Sequence, residues 1–290
     1  YHYSNVGEIH PRVRAITEDG HIFSGESTLI IHDKIIKADV NDEIYGAKSI
    51  DILEVDSPDS HAVDGYEYVY VLQVHEGSNI IKRYIIEANN AELLDNSSVS
   101  INLSQMEILN PMALRVDENK DIYLSARSGG GSRLYRFIEI PGGYKIDDSF
   151  LIDLPATVIS SFDLVDDALY ISHINGPEIR VYDKSGSLLL EKAPVTNGLI
   201  RDTGPEAGIA IDKDRLWLAD YTNQRVVGLS KETLHLRDYF GEPGTEEGEF
   251  ISPALIRVYG NYLYVFDKSA LTLQVFEEVQ NEFRIICRID

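Results

Sequence analysis

A feature that recurs about every 47 residues constrains this chain more than any other. Each recurrence places an aromatic residue midway through a short apolar strand: Phe23, Tyr70, Tyr123, Tyr170, Trp217 and Tyr264, at steps of 47, 53, 47, 47 and 47. A proline precedes the aromatic by 11 or 12 residues in five of the six units, as Pro11, Pro58, Pro111, Pro205 and Pro253, while the unit of Tyr170 has Val158 in that place. Two markers holding one offset along the chain define a repeat architecture, in which no unit buries its apolar face alone.

Each unit reads as four short strands separated by Gly, Asn and Asp turns, and no segment sustains a helical period. In the first unit the strands are 12–17, 21–25, 28–33 and 49–55. Pro58 opens the second, with strands at 68–74 and 80–86, and its six extra residues are placed in a loop within 87–104 (EANNAELLDNSSVSINLS). The third unit has strands at 113–116, 122–126 and 134–138, the fourth at 161–165, 168–173, 179–182 and 188–190, and the fifth at 208–211, 215–219, 224–229 and 234–239. The sixth, from Gly241, ends in the strand 282–289. A four-stranded sheet of this size cannot cover both of its faces, but six set round an axis cover one another and leave only short edges. The expected fold is therefore all-β: one six-bladed β-propeller of four-stranded antiparallel blades over residues 1–290. The recurring aromatic would fill the wedge between neighbouring blades, and the proline would sit at a strand start, where its missing N–H costs little.

Charge and composition exclude several functions. The formal net charge of −22 opposes nucleic acid, whose phosphates demand a basic footprint, and opposes docking on anionic lipid. No apolar run approaches the ~20 residues that span a bilayer, so membrane insertion is not expected. Cys287 is the single cysteine and cannot form an internal disulfide. The chain begins at Tyr1 without a methionine, so its start reads as a processed end, with any targeting signal removed before it. The expected location is periplasmic, cell-surface or extracellular, and the expected state a monomer.

The segment GEPGTEEGEFISPAL, followed by NYLYVFD and LQVF, resembles an NHL repeat: a Gly-rich loop, Phe, a Pro-led strand, an aromatic-Val-x-Asp strand and a closing apolar strand. GPEAGIAID with RLWLADYTNQRV resembles it equally. WD repeats fit poorly, since the chain has one Trp and no Asp follows it, and kelch repeats fit poorly because paired glycines are not periodic. The resemblance implies a six-bladed propeller from a family that includes binding platforms, extracellular sensor domains and a peptide-amidating lyase, with function on one face near the axis.

Strand geometry says which residues share that face. The first strand (A) runs from its proline to the A–B turn and the second (B) returns, so the residue before each proline and the B–C turn lie together. The first set is His10, Ser57, Asn110, Thr157, Gly204 and Ser252. The second is Glu26, Gln73, Ala126, His173, Asp220 and Asp267, with Arg127 beside it. His10 and His173 come from units on opposite sides of a six-fold axis and could converge on a metal or act as acid and base. Arg201 and Asp202, in the loop entering the fifth unit, could clamp an anionic or sugar ligand. Asp220 and Asp267 are expected to hold turns through backbone N–H groups. The ligand-binding candidates are His10, Asn110, Arg127, His173, Arg201, Asp202 and Ser252. The A–B turns of the opposite face are rich in Asp, which tight turns select for themselves, although oxygen ligands converging there could hold Ca²⁺.

No Gly-x-Ser-x-Gly elbow, His-Glu-x-x-His or Cys cluster occurs, and the glycines at 129–131 lie between strands, where no phosphate loop forms. No catalytic residue and no cofactor is assigned, with Ca or Zn at the axis the open metal reading. Two functions remain. The favoured one is a non-catalytic module binding a protein, peptide or glycan on the proline-side face. The alternative is a propeller enzyme, a metal-assisted lyase, lactonase or glycan-active enzyme using His10, His173 and axial carboxylates.

Overall fold

A computed structural model describes residues 28–31, 34–37, 47–55, 66–75, 78–87, 93–174, 176–194, 208–212, 214–259, 261–279 and 282–289. Regular structure among them is β apart from two single-turn 3-10 helices, Ser104–Met106 and Tyr221–Asn223. A hairpin comes first, β1 (Thr28–Ile31) with β2 (Lys34–Lys37).

Five four-stranded antiparallel sheets follow, each pairing its strands in chain order. Blade I is β3 (Ala47–Val55), β4 (Tyr66–His75), β5 (Ser78–Glu87) and β6 (Leu93–Asn102). Blade II is β7 (Pro111–Val116), β8 (Ile122–Ser128), β9 (Gly131–Ile140) and β10 (Gly143–Leu154). Blade III is β11 (Ile159–Val165), β12 (Ala168–His173), β13 (Gly176–Asp183) and β14 (Leu188–Lys192). Blade IV is β15 (Ile209–Ile211), β16 (Arg215–Asp220), β17 (Arg225–Ser230) and β18 (Leu236–Phe240). After a short parallel bridge of β19 (Glu242–Pro243) with β20 (Glu249–Phe250), blade V is β21 (Pro253–Tyr259), β22 (Tyr262–Asp267), β23 (Thr272–Val279) and β24 (Glu282–Ile289). The first strands of successive blades adjoin, β3 to β7 to β11 to β15 to β21, which is the arrangement of a β-propeller.

Side-chain packing follows the repeat. Tyr70 packs with Leu114 and Leu124 of blade II, and Tyr123 with Ile159 and Phe162 of blade III. Tyr170 packs with Ile209 and Leu218 of blade IV, and Trp217 with Ile256 and Val265 of blade V. Each ring buries against the next sheet, contributing apolar area where two twisted sheets diverge. Polar side chains fix the same interfaces: the Arg115 Nε donates to Asp163 Oδ1 at 3.0 Å, and Asp163 Oδ2 accepts from the Ile211 N–H at 2.8 Å, so one carboxylate joins blades II, III and IV. The A strands of blades I, II, III and V each carry a register irregularity near their start. In blades II and III a buried serine hydroxyl fills the gap: Ser125 accepts from the Ala113 N–H at 3.2 Å, and Ser172 donates to the Ser161 carbonyl at 3.1 Å.

The expected count of six blades is corrected to five among the described residues. The segment 28–33, expected as the third strand of a blade, supplies β1 (Thr28–Ile31), which among the described residues pairs with β2. The segment 49–55, expected to close the first unit, is β3, the A strand of the blade that carries Tyr70. The reason is compositional: SIDILEV, which ends before Pro58, has the apolar alternation of a strand. That proline therefore falls between A and B rather than at the start of A. The stretch 87–104, expected to hold the added length of this repeat in a loop, contains β6.

Candidate functional site

The B–C turn and the start of strand A meet through the backbone in four blades. The Arg127 N–H donates to the Asn110 carbonyl at 2.8 Å, Ile174 to Val158 at 2.9 Å, Ala219 to Gly208 at 2.9 Å and Lys268 to Ser252 at 3.0 Å. Asn110, Arg127, His173 and Ser252 thus lie on one face, as strand direction requires. His10, Glu26, Ser57, Arg201, Asp202 and Gly204 lie outside the described residues.

The carboxylates of this face are engaged by the backbone. Asp267, 1% exposed, accepts from four N–H groups: Ile251 at 2.6 Å and Ser252 at 2.9 Å on Oδ2, Ser269 at 3.0 Å and Ala270 at 2.9 Å on Oδ1. The Ser252 and Ser269 hydroxyls are 2.8 Å apart, so Ser252 belongs to the same turn lock. Asp220 is buried and accepts from the Asn223 side chain at 2.8 and 2.9 Å and from the Arg225 Nε at 3.0 Å. Burial nonetheless holds its carboxyl above the usual range, outweighing Asn223 and Arg225.

His173 differs. It is buried, its Nε2 has no hydrogen-bond partner among the described residues, and the other side of the ring bonds the Glu178 backbone. Burial, followed by the Arg180 charge, pushes its pKa down to about 4, so the ring is neutral near neutrality with one free lone pair. Arg127 and Asn110 are exposed and present a guanidinium and an amide to solvent on the same face.

The opposite face uses its acidic turns internally. Asp117 Oδ1 accepts from the Asn119 and Asp121 N–H groups, both at 2.9 Å. Asp212 accepts from the Arg215 N–H at 2.9 Å and the Trp217 Nε1–H at 2.9 Å. Lys184 stands 2.8 Å from Glu118 and 3.4 Å from Asp167, and Lys231 3.0 Å from Asp166. Among the described residues no group of three or more His, Cys, Asp or Glu side chains is arranged to hold a metal ion. Lys184, Lys231 and Glu278 belong to none of the sequence motifs, although their spacing of 47 residues is visible in the sequence.

No family model matches the chain, and no curated protein matches it. Solved structures do. A protein from Lactobacillus plantarum aligns with 15% identity and a TM-score of 0.51, over 84% of this chain and 70% of that one. A structure of the nidogen/laminin complex aligns with 15% identity and a TM-score of 0.51, over 84% and 79%. A 6-phosphogluconolactonase candidate from Bacteroides uniformis aligns with 11% identity and a TM-score of 0.51, over 83% and 70%. At such identities the likeness shows the fold, a β-propeller, whose hosts differ in function.

Proposed function

We propose that this propeller is a non-catalytic binding module that takes a protein, peptide or glycan on the face carrying Asn110 and Arg127. The supporting observation is the division of labour on that face. The carboxylates best placed for chemistry, Asp220 and Asp267, are spent on turn N–H groups and neighbouring side chains. Arg127 and Asn110 are exposed instead, and a guanidinium beside a side-chain amide suits recognition of carboxylates, peptide carbonyls or sugar hydroxyls. A resemblance to NHL repeats agrees with such a role. The test is selection from a random-peptide display library and from a glycan array with the wild-type protein. Binding that falls about tenfold or more in Arg127→Glu, a change of about 1.4 kcal/mol, with unchanged thermal stability, supports the reading. Ligands indifferent to Arg127→Glu and Asn110→Ala would move the site elsewhere.

The alternative is a propeller enzyme, favoured by the free Nε2 of His173, which is the form of imidazole that ligates metals. Its test is elemental analysis of purified protein: stoichiometric zinc or calcium that His173→Ala removes would replace the binding reading with the enzymatic one.

A further inference from the structure

The loop that enters blade II, residues 103–110, is cross-braced by hydrogen bonds. The Met106 and Ile108 N–H groups donate to the Leu103 carbonyl at 3.1 and 3.0 Å, and the Glu107 N–H to the Ser104 carbonyl at 3.2 Å. From blade I, the buried Asn79 side chain donates to the Ile108 carbonyl at 3.1 Å and to the Leu109 carbonyl at 2.9 Å. Ile108 is buried by this arrangement and Leu109 is turned out, 67% exposed; among the described residues no large apolar side chain is more exposed. With its backbone pinned, Leu109 has no loop motion by which to fold back, so its display is built in.

Asn110 follows, and its carbonyl takes the Arg127 N–H at 2.8 Å, so a leucine, an amide and a guanidinium adjoin. The guanidinium has no hydrogen-bond or ion-pair partner among the described residues. In a chain of net charge −22 that sets it apart, since Arg115, Arg133, Arg136, Arg180, Arg215 and Arg225 are all paired with carboxylates. The ground beside it is uncharged. Gly129 and Gly130 form the turn without side chains, and Pro155 and Ala156 are exposed next to it, the Pro155 carbonyl 3.8 Å from where a Gly130 Cβ would stand.

The geometry points to the C-terminal end of a peptide, with an apolar last residue, as the ligand held by Leu109, Asn110 and Arg127. The inference rests on the binding reading above and narrows it to one chemistry. A guanidinium grips a carboxylate through two parallel N–H groups. Against a net charge of −22, a partner bearing one carboxylate suffers less repulsion than an acidic run, and Glu107, exposed on the same loop, selects further against a second acid. Leu109 and Arg127 flank a single backbone hydrogen bond, so one residue carrying both an apolar side chain and the terminal carboxylate serves both. An aspartate or glutamate side chain would need a second residue to cover Leu109. The Asn110 amide, both donor and acceptor, suits the peptide group before the terminus. A neutral sugar would leave the Arg127 charge unmatched and bring no apolar side chain to Leu109.

The test is 15N NMR of the protein titrated with four probes: acetyl-Gly-Leu with a free carboxylate, the same peptide as its C-terminal amide, acetyl-Gly-Ser with a free carboxylate, and acetyl-Asp-Leu amide. The expected result is that acetyl-Gly-Leu moves the amides of 107–110 and 127–131 with a low-millimolar midpoint, and that the other three bind about tenfold or more weakly. Arg127→Gln should bind acid and amide alike, and Leu109→Ser should lose the preference for Leu over Ser. Both side chains are exposed, so thermal unfolding should match wild type. Equal binding of acid and amide by wild type, shifts centred elsewhere or no shift overturns the inference. So does acetyl-Asp-Leu amide binding as well as acetyl-Gly-Leu, which assigns the carboxylate to a side chain. The two readings fail separately: a library or glycan-array ligand that needs Arg127 while these peptides do not bind keeps the face and removes the peptide terminus, whereas ligands indifferent to Arg127 remove the face.

Discussion

The ammonium of Lys184 lies 3.3 Å from a carboxylate oxygen of Asp117, in the A–B turn of the blade before its own. Lys231, 47 residues on, reaches Asp166 in the same sense from blade IV to blade III. At the next step of 47 the signs exchange, and Glu278 of blade V takes Arg215 of blade IV. One repeat position therefore clasps three successive interfaces. The environments differ: the Asp117 side chain is 1% exposed, whereas Asp167, also beside Lys184, is 90% exposed.

Lys184→Met is expected to lower the unfolding free energy by about 2 to 4 kcal/mol, because it strands the buried Asp117 carboxylate. Asp167→Asn, which removes an exposed partner of the same ammonium, is expected to change it by about 0.5 kcal/mol or less. Urea denaturation midpoints check both. Equal effects would mean that the clasp acts through surface charge alone.

How far the fold could be read in advance follows from what repeats. Four rings of the 47- to 53-residue series, Tyr70 to Trp217, mark four blade interfaces, because a wedge between sheets demands a large side chain at one depth. The proline is a weaker marker, since a strand start tolerates proline without requiring it. At Pro58 it displaced the expected blade boundary and helped to give a sixth blade that the described residues do not contain. On the candidate face, Asp220 and Asp267 could be assigned to turns because their spacing from the next N–H groups is local. The burial of His173 could not, because no local sequence pattern reports how one sheet covers another.

The pH dependence of stability carries the signature of His173. Its folded pKa is depressed to about 4 from 6.5, chiefly by burial and then by Arg180. The fold thus prefers the neutral ring: its full contribution is present above about pH 6.5, is lost as pH falls toward 4, and changes no further below. The loss is about 3 kcal/mol. His173→Gln should remove that share of the decline between pH 6.5 and 4 in denaturant titrations, leaving what carboxylates contribute. A variant whose stability runs parallel to wild type over this window contradicts the assignment.

Asp267 separates a structural carboxylate from a functional one. It accepts four backbone N–H groups while almost fully buried, so Asp267→Ala leaves all four without their acceptor. The expected loss is about 3 kcal/mol or more. Metal content and any ligand affinity per folded molecule should not change, which elemental analysis and titration of the folded fraction would show. A stable Asp267→Ala protein that loses its ligand would return this residue to the site.

Blades IV and V approach closely at Gly208. A Cβ on Gly208 would lie 2.2 Å from the Ala254 carbonyl oxygen and 3.1 Å from the Leu255 Cα, both backbone atoms of the next blade. Neither can turn aside as a side-chain end could, so Gly208→Ala must part β15 from β21. The Gly208 carbonyl also accepts from Ala219, so the displacement would carry to the turn on the candidate face. Overpacking of this kind costs about 1 to 3 kcal/mol. Gly130 is the control: its nearest neighbour to an added Cβ is 3.8 Å away, and Gly130→Ala should be neutral or stabilise by up to about 1 kcal/mol through the unfolded chain. Thermal unfolding of the two variants orders them. If Gly208→Ala matched Gly130→Ala, the two inner strands would have room between them, and the tight contact of blades IV and V would not be what holds that turn.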